Sequence, residues 1–471
     1  MIARPFVRNV FFAAATMLAV SFGATASPGT APSRDTAALD GIAAAVSADE
    51  LKSTITRLVG FGTRHTLSDT KSDKRGIGAA RRWAQSRFAD FAKACGGCLE
   101  VVTPAQSFTG KRVPQPTEVM DIVAIQKGTD QRGWSDPNRV IVITGHLDSR
   151  VTDAMNATSD APGANDDGSG TAVVIEAARV LSQHRFAATI VYGVLSGEEQ
   201  GLYGGKVLAD YAKQQGWQVE SDLNNDIVGN THGQDGVVDN TTVRVFSEGT
   251  KSTETAEQAK DRRYHGGEVD SPSRSIARFM AQLADDSLSN FRVRMVYRTD
   301  RYGRGGDQVP FLEAGFPAIR VTEAHENYTR QHQDLRSENG IKYGDTIDGV
   351  DFAYLAQVAR LNVLTLASLA AAPAPPSGVD IDGAVSTDTT IHWQPVAGAA
   401  GYRVWWRDTI APQWQHSRWV GDATKATIKD TVVDDSFFGV SAVAADGAAS
   451  PIVFAGGAGS FAGDKPDKPH P

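Results

Sequence analysis

The sequence lacks the short motifs that identify several common enzyme classes. Its 471 residues contain no Gly-x-Ser-x-Gly, no His-Glu-x-x-His and no complete phosphate-binding loop. Serine-nucleophile, single-helix zinc and nucleotide-binding chemistry of those kinds therefore find little support. Basic residues are also fewer than acidic ones, and the formal net charge is −8. This charge argues against a general nucleic-acid binder, because nothing offsets the repulsion between the protein and phosphates.

Long apolar runs are scarce. Arg4 and Arg8 precede an apolar run over residues 10–22, and the small residues Ala-Thr-Ala follow at 24–26. This order is typical of a signal peptide over residues 1–26, cleaved after Ala26, because the run is shorter than the roughly 20 residues that span a membrane. No later run is expected to be long enough. We therefore predict an exported protein, secreted or periplasmic, with no stable membrane insertion.

Cysteine is almost absent, and Cys95 and Cys98 are the only two. In the oxidising compartment that export implies, a small local disulfide between them is expected. A redox motif would need a suitable fold around it, and a zinc knuckle would need two further ligands nearby. Neither is visible in the sequence, so we predict the disulfide.

The length exceeds one ordinary core and predicts two folded domains. Residues 27–47, rich in Ala, Ser, Thr and Pro, are predicted to be a loose leader or propeptide-like segment. Strand and helix patterns then alternate over 48–371, which predicts an α/β fold with a mostly parallel mixed sheet sandwiched by helices. Residues 372–377 read as a Pro-rich linker.

The pattern changes over residues 378–455. Short strand-like segments, with turn residues between them, predict a small all-β sandwich. This segment resembles a fibronectin type III module, with Trp393 and Tyr402 at positions that such modules fill with core aromatics. We expect core positions for both, rather than a sugar-binding platform, and the module is a candidate for binding a surface or polymer. Residues 456–471 are predicted to be a flexible tail.

Acidic residues and a histidine lie where predicted strands end or a helix begins. His146 and Asp148 follow one buried strand pattern, Glu198-Glu199 follows another and Asp226 a third. Adjacent carboxylates repel each other, so the Glu198-Glu199 pair indicates a nearby cation or protonation of one member. Each motif alone is also compatible with a solvated loop or a helix cap.

Taken together, these motifs form a candidate metal site. Sites in parallel sheets form at the carboxyl ends of strands, where these residues fall. With one of the two acids of the loop 163–170, Asp166 or Asp167, and a histidine at 325 or 332, the set suits two divalent metals such as zinc, about 3.5–4 Å apart.

Four motifs follow one another along the chain: His146-Leu147-Asp148, the loop Gly-Ala-Asn-Asp-Asp-Gly-Ser-Gly at 163–170, Glu198-Glu199-Gln200-Gly201 and Asp226. In this order they resemble the motifs of the two-zinc aminopeptidases of peptidase family 28. That family includes secreted bacterial leucine aminopeptidases and glutamate carboxypeptidase relatives. The resemblance covers about residues 48–370. It implies a zinc exopeptidase-like fold and hydrolysis at the N-termini of peptides or proteins.

The resemblance also implies which residues bind two Zn²⁺ ions per chain: His146, Asp166, Glu199, Asp226 and His332. Asp166 would bridge the two ions. His146 and Asp226 would hold one ion, and Glu199 and His332 the other. Among the catalytic residues, Glu198 would be the general base and acid rather than a ligand. Asp148 would contact His146 and orient it without binding the metal.

Two positions depart from the family pattern. Many relatives have their second histidine in a Tyr-His-Thr context, whereas here Gln331 precedes His332 and Asp334 follows it closely. We choose His332 because Asp334 could orient it, and His325 is the alternative. Gln308 stands where many relatives have a histidine, which leaves the role of that pocket-wall segment open.

Other functions are compatible with the same residues. A carboxypeptidase or dipeptidase with these metals would need an arginine for the substrate's free carboxylate, and Arg301, Arg304 and Arg320 are available. A one-zinc glutaminyl cyclase-like enzyme is disfavoured by the full two-metal ligand set. A non-catalytic binding ectodomain would be expected to have lost some of these ligands.

Overall fold

The computed structural model describes residues 30–34, 36–129 and 136–461. The predicted signal peptide 1–26 and residues 462–471 of the predicted tail lie outside this range. Within it, the helices are α1 Thr36–Ala44, α2 Ala48–Val59, α3 Gly76–Ala94, α4 Gly168–Leu181, α5 Glu198–Gly201, α6 Tyr203–Gln214, α7 Ala256–His265, α8 Pro272–Ser287, α9 Gln308–Glu313 and α10 Phe352–Ala371.

The strands of the first 371 residues are β1 Leu99–Val102, β2 Ala105–Gly110, β3 Val113–Met120, β4 Ile122–Gln126, β5 Asp136–His146, β6 Ala188–Leu195, β7 Gln218–Asn225, β8 Thr242–Ser247, β9 Arg292–Val296, β10 Ala318–Glu323, β11 Arg336–Glu338 and β12 Ile341–Tyr343. Those beyond are β13 Asp380–Asp382, β14 Thr389–His392, β15 Gly401–Asp408, β16 His416–Trp419, β17 Lys425–Ile428, β18 Ser436–Val443 and β19 Val453–Phe454.

Eight strands form the main sheet, in the order β1-β4-β6-β5-β7-β10-β8-β9. The four central strands, β6, β5, β7 and β10, are parallel to one another, and antiparallel pairings flank them. Every residue of β6 is buried, as expected for a strand covered on both faces. Side chains of α2, α3, α4, α8 and α10 pack on one face and those of α6 and α9 on the other. The predicted mixed, mostly parallel sheet between helices is thus confirmed.

The segment 27–47 is not loose throughout, contrary to our expectation. Helix α1 lies within it, and the partly buried side chains of Leu39 and Ile42 pack against the main core. Their spacing of three residues places them on one face of the helix, which gives it an apolar side to bury. Arg34 also donates a hydrogen bond to the hydroxyl of Ser368 in α10.

Helix α10 corrects a second expectation. Its 20 residues are long and apolar enough to cross a membrane, although the sequence was expected to contain no such run after the N-terminus. In the structure, 78% of the most apolar window is buried inside the fold. The length and apolar character of α10 therefore reflect its position in the core, between α1, α2, α4 and α8.

The C-terminal region forms two small antiparallel sheets, β13-β14-β17 and β16-β15-β18-β19. Trp393 and Tyr402 are buried in its apolar core, as predicted. The likeness to a fibronectin type III module, the domain boundaries and binding to a surface or polymer stay predictions. At the start of the predicted tail, a 3₁₀ turn covers Gly457–Gly459 and Phe461 packs against both cores.

The predicted disulfide joins Cys95 and Cys98, just after α3. Both cysteines are partly buried against the main core. No free cysteine occurs in the described part of the chain. The cysteines therefore fasten the turn between α3 and β1.

Candidate metal centre

The four parallel strands bring the predicted site residues to one edge of the sheet. Strand β5 ends at His146, and Asp226 directly follows β7. Glu198 and Glu199 begin α5, two residues after β6, and His332 lies on the loop that follows β10. Because the carboxyl ends of neighbouring parallel strands meet at the same edge, residues more than 180 positions apart in the sequence converge there.

The two adjacent acids of the loop 163–170 have different positions. Asp167 caps α4, where its Oδ1 accepts a hydrogen bond from the backbone N–H of Gly170 at 2.9 Å. Its carboxylate also accepts from the backbone N–H groups of His146 at 2.9 Å and Ile227 at 3.2 Å. Asp167 thus ties together the ends of β5 and β7 and the start of α4, while Asp166 points into the site.

Two groups of three side chains share Asp166. His146, Asp166 and Asp226 form the first, and Asp166, Glu199 and His332 the second, with the ligand atoms of each group within 4.8 Å of one another. His146 Nε2 lies 3.3 Å from Asp166 Oδ1 and 3.8 Å from Asp226 Oδ1. His332 Nε2 lies 3.0 Å from both Asp166 Oδ2 and Glu199 Oε1.

Three of these atoms have no hydrogen bond although they are buried. His146 Nε2, Asp166 Oδ2 and Glu199 Oε1 make no hydrogen bond of normal geometry among the described residues, although His332 Nε2 lies 3.0 Å from the two oxygens. Buried polar atoms in folded proteins normally have one, so each such exception needs an explanation. Imidazole nitrogens and carboxylate oxygens are ligands that Zn²⁺ takes, so this donor set fits zinc.

Asp148 orients His146 through its backbone as well as its carboxylate. His146 Nδ1 donates to the backbone carbonyl of Asp148 at 3.1 Å and lies 3.6 Å from its Oδ1. A proton on Nδ1 leaves the lone pair of Nε2 free for a metal. The Asp148 carboxylate accepts from the Thr66 hydroxyl at 2.8 Å and the backbone N–H groups of Glu198 and Glu199 at 3.3 and 3.2 Å.

The electrostatics of the centre favour a bound cation. Burial alone would lower the pKa of His332, but the carboxylates of Glu199 and Asp166 raise it to about 10. Burial would likewise lower the pKa of His146, yet Glu198 and other nearby acids raise it well above its usual value. The same negative field that stabilises a proton on these rings stabilises a divalent cation in its place.

Glu198 belongs to neither group. Its Oε2 lies 4.0 Å from His146 Nε2, and its side chain is 12% exposed. Burial raises the pKa of Glu198 well above the ordinary value, and the charges of Glu199 and Asp226 add to this shift. The charge of His146 opposes it. A carboxylate with a raised pKa beside a metal centre is suited to accept and return a proton.

Two arginines, Arg320 buried and Arg150 partly buried, contact the groups and were not assigned to them from the sequence. Arg320 Nη1 lies 2.6 Å from Asp226 Oδ2 and lowers the pKa of Asp226 despite its burial. Arg150 Nε donates to Glu199 Oε2 at 2.8 Å, and its Nη2 lies 2.6 Å from His332 Nδ1. A charged residue inside the buried pattern of β10 is a usable signal for Arg320, since such residues are rarely buried unpaired. Arg150 has no comparable signal.

His325 and Gln308, the two positions that the sequence left open, lie outside both groups. His325 pairs with Asp235 at 2.9 Å and belongs to neither group, so the structure brings His332 rather than His325 to the site. Gln308 is fully buried, donating to Asp300 Oδ2 at 2.7 Å and accepting from Asn224 at 3.0 Å. Its side chain therefore bonds to groups beside the strand ends and does not line the cavity.

Backbone conformations that are rare for residues other than glycine cluster here. Leu202, Ile227 and His332 have φ values of 58°, 60° and 52°. For a β-branched residue such as Ile227, which follows Asp226, this left-handed conformation is unfavourable. Such outliers concentrate at functional sites, where surrounding contacts hold them in place.

The groups open onto a cavity of about 280 Å³. Its walls include Asp166, Glu198, Glu199, Asp226 and His332. A small polar substrate can therefore reach Glu198 and both groups from the same side.

Comparisons with known proteins agree with this geometry. Residues 121–346 match the description "Peptidase family M28". A "Probable zinc metalloprotease" of Pyrenophora teres f. teres is 46% identical over 419 residues, which are 87% of this chain and 85% of that protein. A "Probable zinc metalloprotease" of Leptosphaeria maculans is 45% identical, covering 87% of this chain and 94% of the relative. The crystal structure of the Legionella pneumophila LapA aminopeptidase shares the fold at 20% identity, with a TM-score of 0.51 over 74% of this chain and 78% of that one.

Proposed function

Because this chain belongs to peptidase family M28, we propose that it is a zinc-dependent exopeptidase that removes N-terminal residues from peptides. The observation that carries the proposal is the pair of ligand groups sharing Asp166, with Glu198 beside them in one cavity. The names of the relatives support zinc and proteolysis. The preference for N-termini rests on the resemblance of the four motifs to the two-zinc aminopeptidases.

Each ligand group would hold one Zn²⁺. His146 and Asp226 would complete the first site and Glu199 and His332 the second, with Asp166 bridging them. Bound zinc supplies a Lewis acid for the scissile carbonyl and lowers the pKa of its bound water to about 7. Arg320 holds the far oxygen of Asp226, so that Oδ1 remains turned toward His146.

Glu198 would carry the proton. Its carboxylate lies outside both ligand groups but within 4.0 Å of His146 Nε2, so it reaches the reacting atoms without competing for the metal. A raised pKa allows it to accept a proton from the attacking water and deliver it to the leaving amine. Asp148 holds the backbone N–H groups of Glu198 and Glu199 and thereby fixes where the carboxylate lies.

Replacement of Glu198 tests this role. Glu198→Gln keeps the shape of the side chain but cannot accept the proton, so kcat/KM is expected to fall about 10²–10⁴-fold. Zinc content, measured by mass spectrometry, should not change. Glu338→Gln is the control, because Glu338 has a side chain that is 58% exposed on a separate hairpin. Near-normal hydrolysis of leucine p-nitroanilide by Glu198→Gln would remove Glu198 from the mechanism.

The exopeptidase assignment has its own test. A site that binds the free α-amine of its substrate should cleave leucine p-nitroanilide and fail on the N-acetylated compound. Equal rates on the two substrates would contradict cleavage at the N-terminus. A chelator should abolish the activity, and added zinc should restore it.

We also propose that the protein is exported, from the pattern of its first 26 residues. Mature protein recovered outside the cytoplasm should begin near residue 27. An intact N-terminus on the recovered protein would contradict cleavage after Ala26.

A further inference from the structure

Four arginines line the cavity above the proposed metal centre: Arg112, Arg150, Arg301 and Arg304. We call them the arginine rim. The acids that line the same cavity are Asp166, Glu198, Glu199 and Asp226, three of which are proposed metal ligands. Metal ions would neutralise those acids, which leaves the positive charge of the rim to act on the substrate.

Two further carboxylates contact members of the rim: Asp300, whose Oδ1 lies 3.1 Å from Arg301 Nε, and Glu326, which is shared. Glu326 is buried and lies 3.3 Å from Arg301 Nη1 and 3.0 Å from Arg304 Nη1, both through Oε2. Its Oε1 lies 2.7 Å from Arg244 Nη2. Two negative charges, on Glu326 and Asp300, therefore face the guanidinium groups of three arginines, which is too little to neutralise them.

Two members of the rim have their hydrogen-bond donors engaged within the protein. Arg150 uses its nitrogens on Glu199, His332 and the backbone carbonyls of Val151 and Thr152. All three nitrogens of Arg301 are likewise engaged, on Asp300, Glu326 and Gly305. These two arginines therefore shape the wall and have little capacity for a ligand.

The other two keep donors available. Arg112 lies in the turn between β2 and β3, and its Nη1 donates to the backbone carbonyl of Glu199 at 2.7 Å. Arg304 uses only Nη1, on Glu326 and Gln331, and its side chain is 33% exposed. Within the described residues, Nε and Nη2 of both Arg112 and Arg304 have no partner.

We propose that the arginine rim binds a carboxylate of the substrate close to the scissile bond, with Arg304 and Arg112 as its donors. This inference rests on the proposed function of the same site. A guanidinium presents two parallel N–H groups that match the two oxygens of a carboxylate. The positive rim would also repel substrates that carry a lysine or arginine side chain at this place.

Two carboxylates of a short peptide could lie there. One is the side chain of an N-terminal Asp or Glu, and the other is the C-terminal carboxylate of a dipeptide. Two matched pairs of substrates distinguish these two carboxylates. Glutamyl and glutaminyl p-nitroanilide differ only in the side-chain carboxylate, and Leu-Gly and Leu-Gly-amide differ only in the C-terminal one. We expect one pair to show a ratio of kcat/KM of at least about tenfold in favour of the charged substrate, since a hydrogen bond to a charged group is worth that much or more.

Variants assign the preference to the rim. Arg304→Gln and Arg112→Gln should each reduce the ratio, mainly through KM of the charged substrate, and the double variant should bring it near one. Arg304→Lys keeps the charge but loses the paired N–H groups, so it should give an intermediate ratio even if the Gln variant does not fold. Arg298→Gln is the matched control, because Arg298 is exposed on the same loop and does not line the cavity. It should leave the ratio unchanged.

The outcomes distinguish this inference from the proposed function. If leucine p-nitroanilide and Leu-Gly are cleaved but neither pair shows a preference, the carboxylate site is wrong and the exopeptidase stands. A preference that survives in the double variant also overturns the role of the rim. If none of these free-amine substrates is cleaved, the proposed function fails and the inference fails with it.

Discussion

Replacing Asp270 by asparagine should destabilise the protein by about 3–5 kcal/mol. Asp270 is fully buried between the sheet domain and the C-terminal region. Its Oδ1 accepts from Arg278 Nη1 of α8 at 2.7 Å, and Arg407 Nη2 of β15 lies 2.8 and 2.9 Å from its two oxygens. Arg278 also donates to the backbone carbonyl of Pro412 at 2.9 Å. These ion pairs connect the two regions through buried atoms.

The magnitude follows from what the substitution leaves behind. Arg407 and Arg278 have side chains that are 1% and 3% exposed, so neither can recover its hydration when the acid becomes neutral. Removing one member of a buried ion pair costs about 3–5 kcal/mol, mainly because the other charge stays buried without a partner. An exposed pair would cost about 0–1 kcal/mol.

Urea unfolding followed by tryptophan fluorescence measures this loss. Five of the eight tryptophans lie at positions 393, 405, 406, 414 and 419, so the signal reports on the C-terminal region. Asp422→Asn, on the exposed surface of the same region, is the control and should unfold like the wild type. If Asp270→Asn unfolds within about 1 kcal/mol of the wild type, the connection behaves as a surface pair and our reasoning is wrong.

Two further predictions concern the site. Burial alone would raise the pKa of Glu326, but Arg301 and Arg244 lower it from 4.5 to about 2. Its charge therefore stabilises the folded state fully above about pH 4.5 and progressively less as the pH falls toward 2. Glu326→Gln should accordingly lower the free energy of unfolding by about 3 kcal/mol at pH 7 and by less below pH 4.5. A difference in unfolding free energy that does not change with pH would contradict this. His332→Ala should lower the zinc content while His325→Ala should not, and the reverse result would make His325 the ligand.

The sequence alone was sufficient to predict the sheet and to identify the short motifs. Buried parallel strands read as continuous apolar runs, so β5 and β6 were recognisable without tertiary information. The acids and the histidine that follow such strands meet at one edge because parallel strands end together. His146, Asp166, Glu199 and Asp226 lie together in the structure for that reason.

Features that depend on tertiary packing could not be read in the same way. The apolar pattern of residues 118–125 predicts one strand, but in the structure Asp121 divides it into β3 and β4. The Asp121 carboxylate accepts a hydrogen bond from the backbone N–H of Ser196 at 3.0 Å, and β3 pairs with β2 outside the main sheet. The segment before residue 47 looked loose because its composition is that of a leader, whereas packing against α10 gives it a helix. Arg150 reaches Glu199 only after folding.

The zinc content of the purified wild-type protein tests the central claim most directly. The two ligand groups sharing Asp166 predict about two zinc ions per chain by mass spectrometry after gentle purification without chelator. They also predict that Glu198→Gln retains the same number while losing turnover. A protein that binds no zinc under these conditions, or that hydrolyses free-amine substrates equally well without it, would contradict the account.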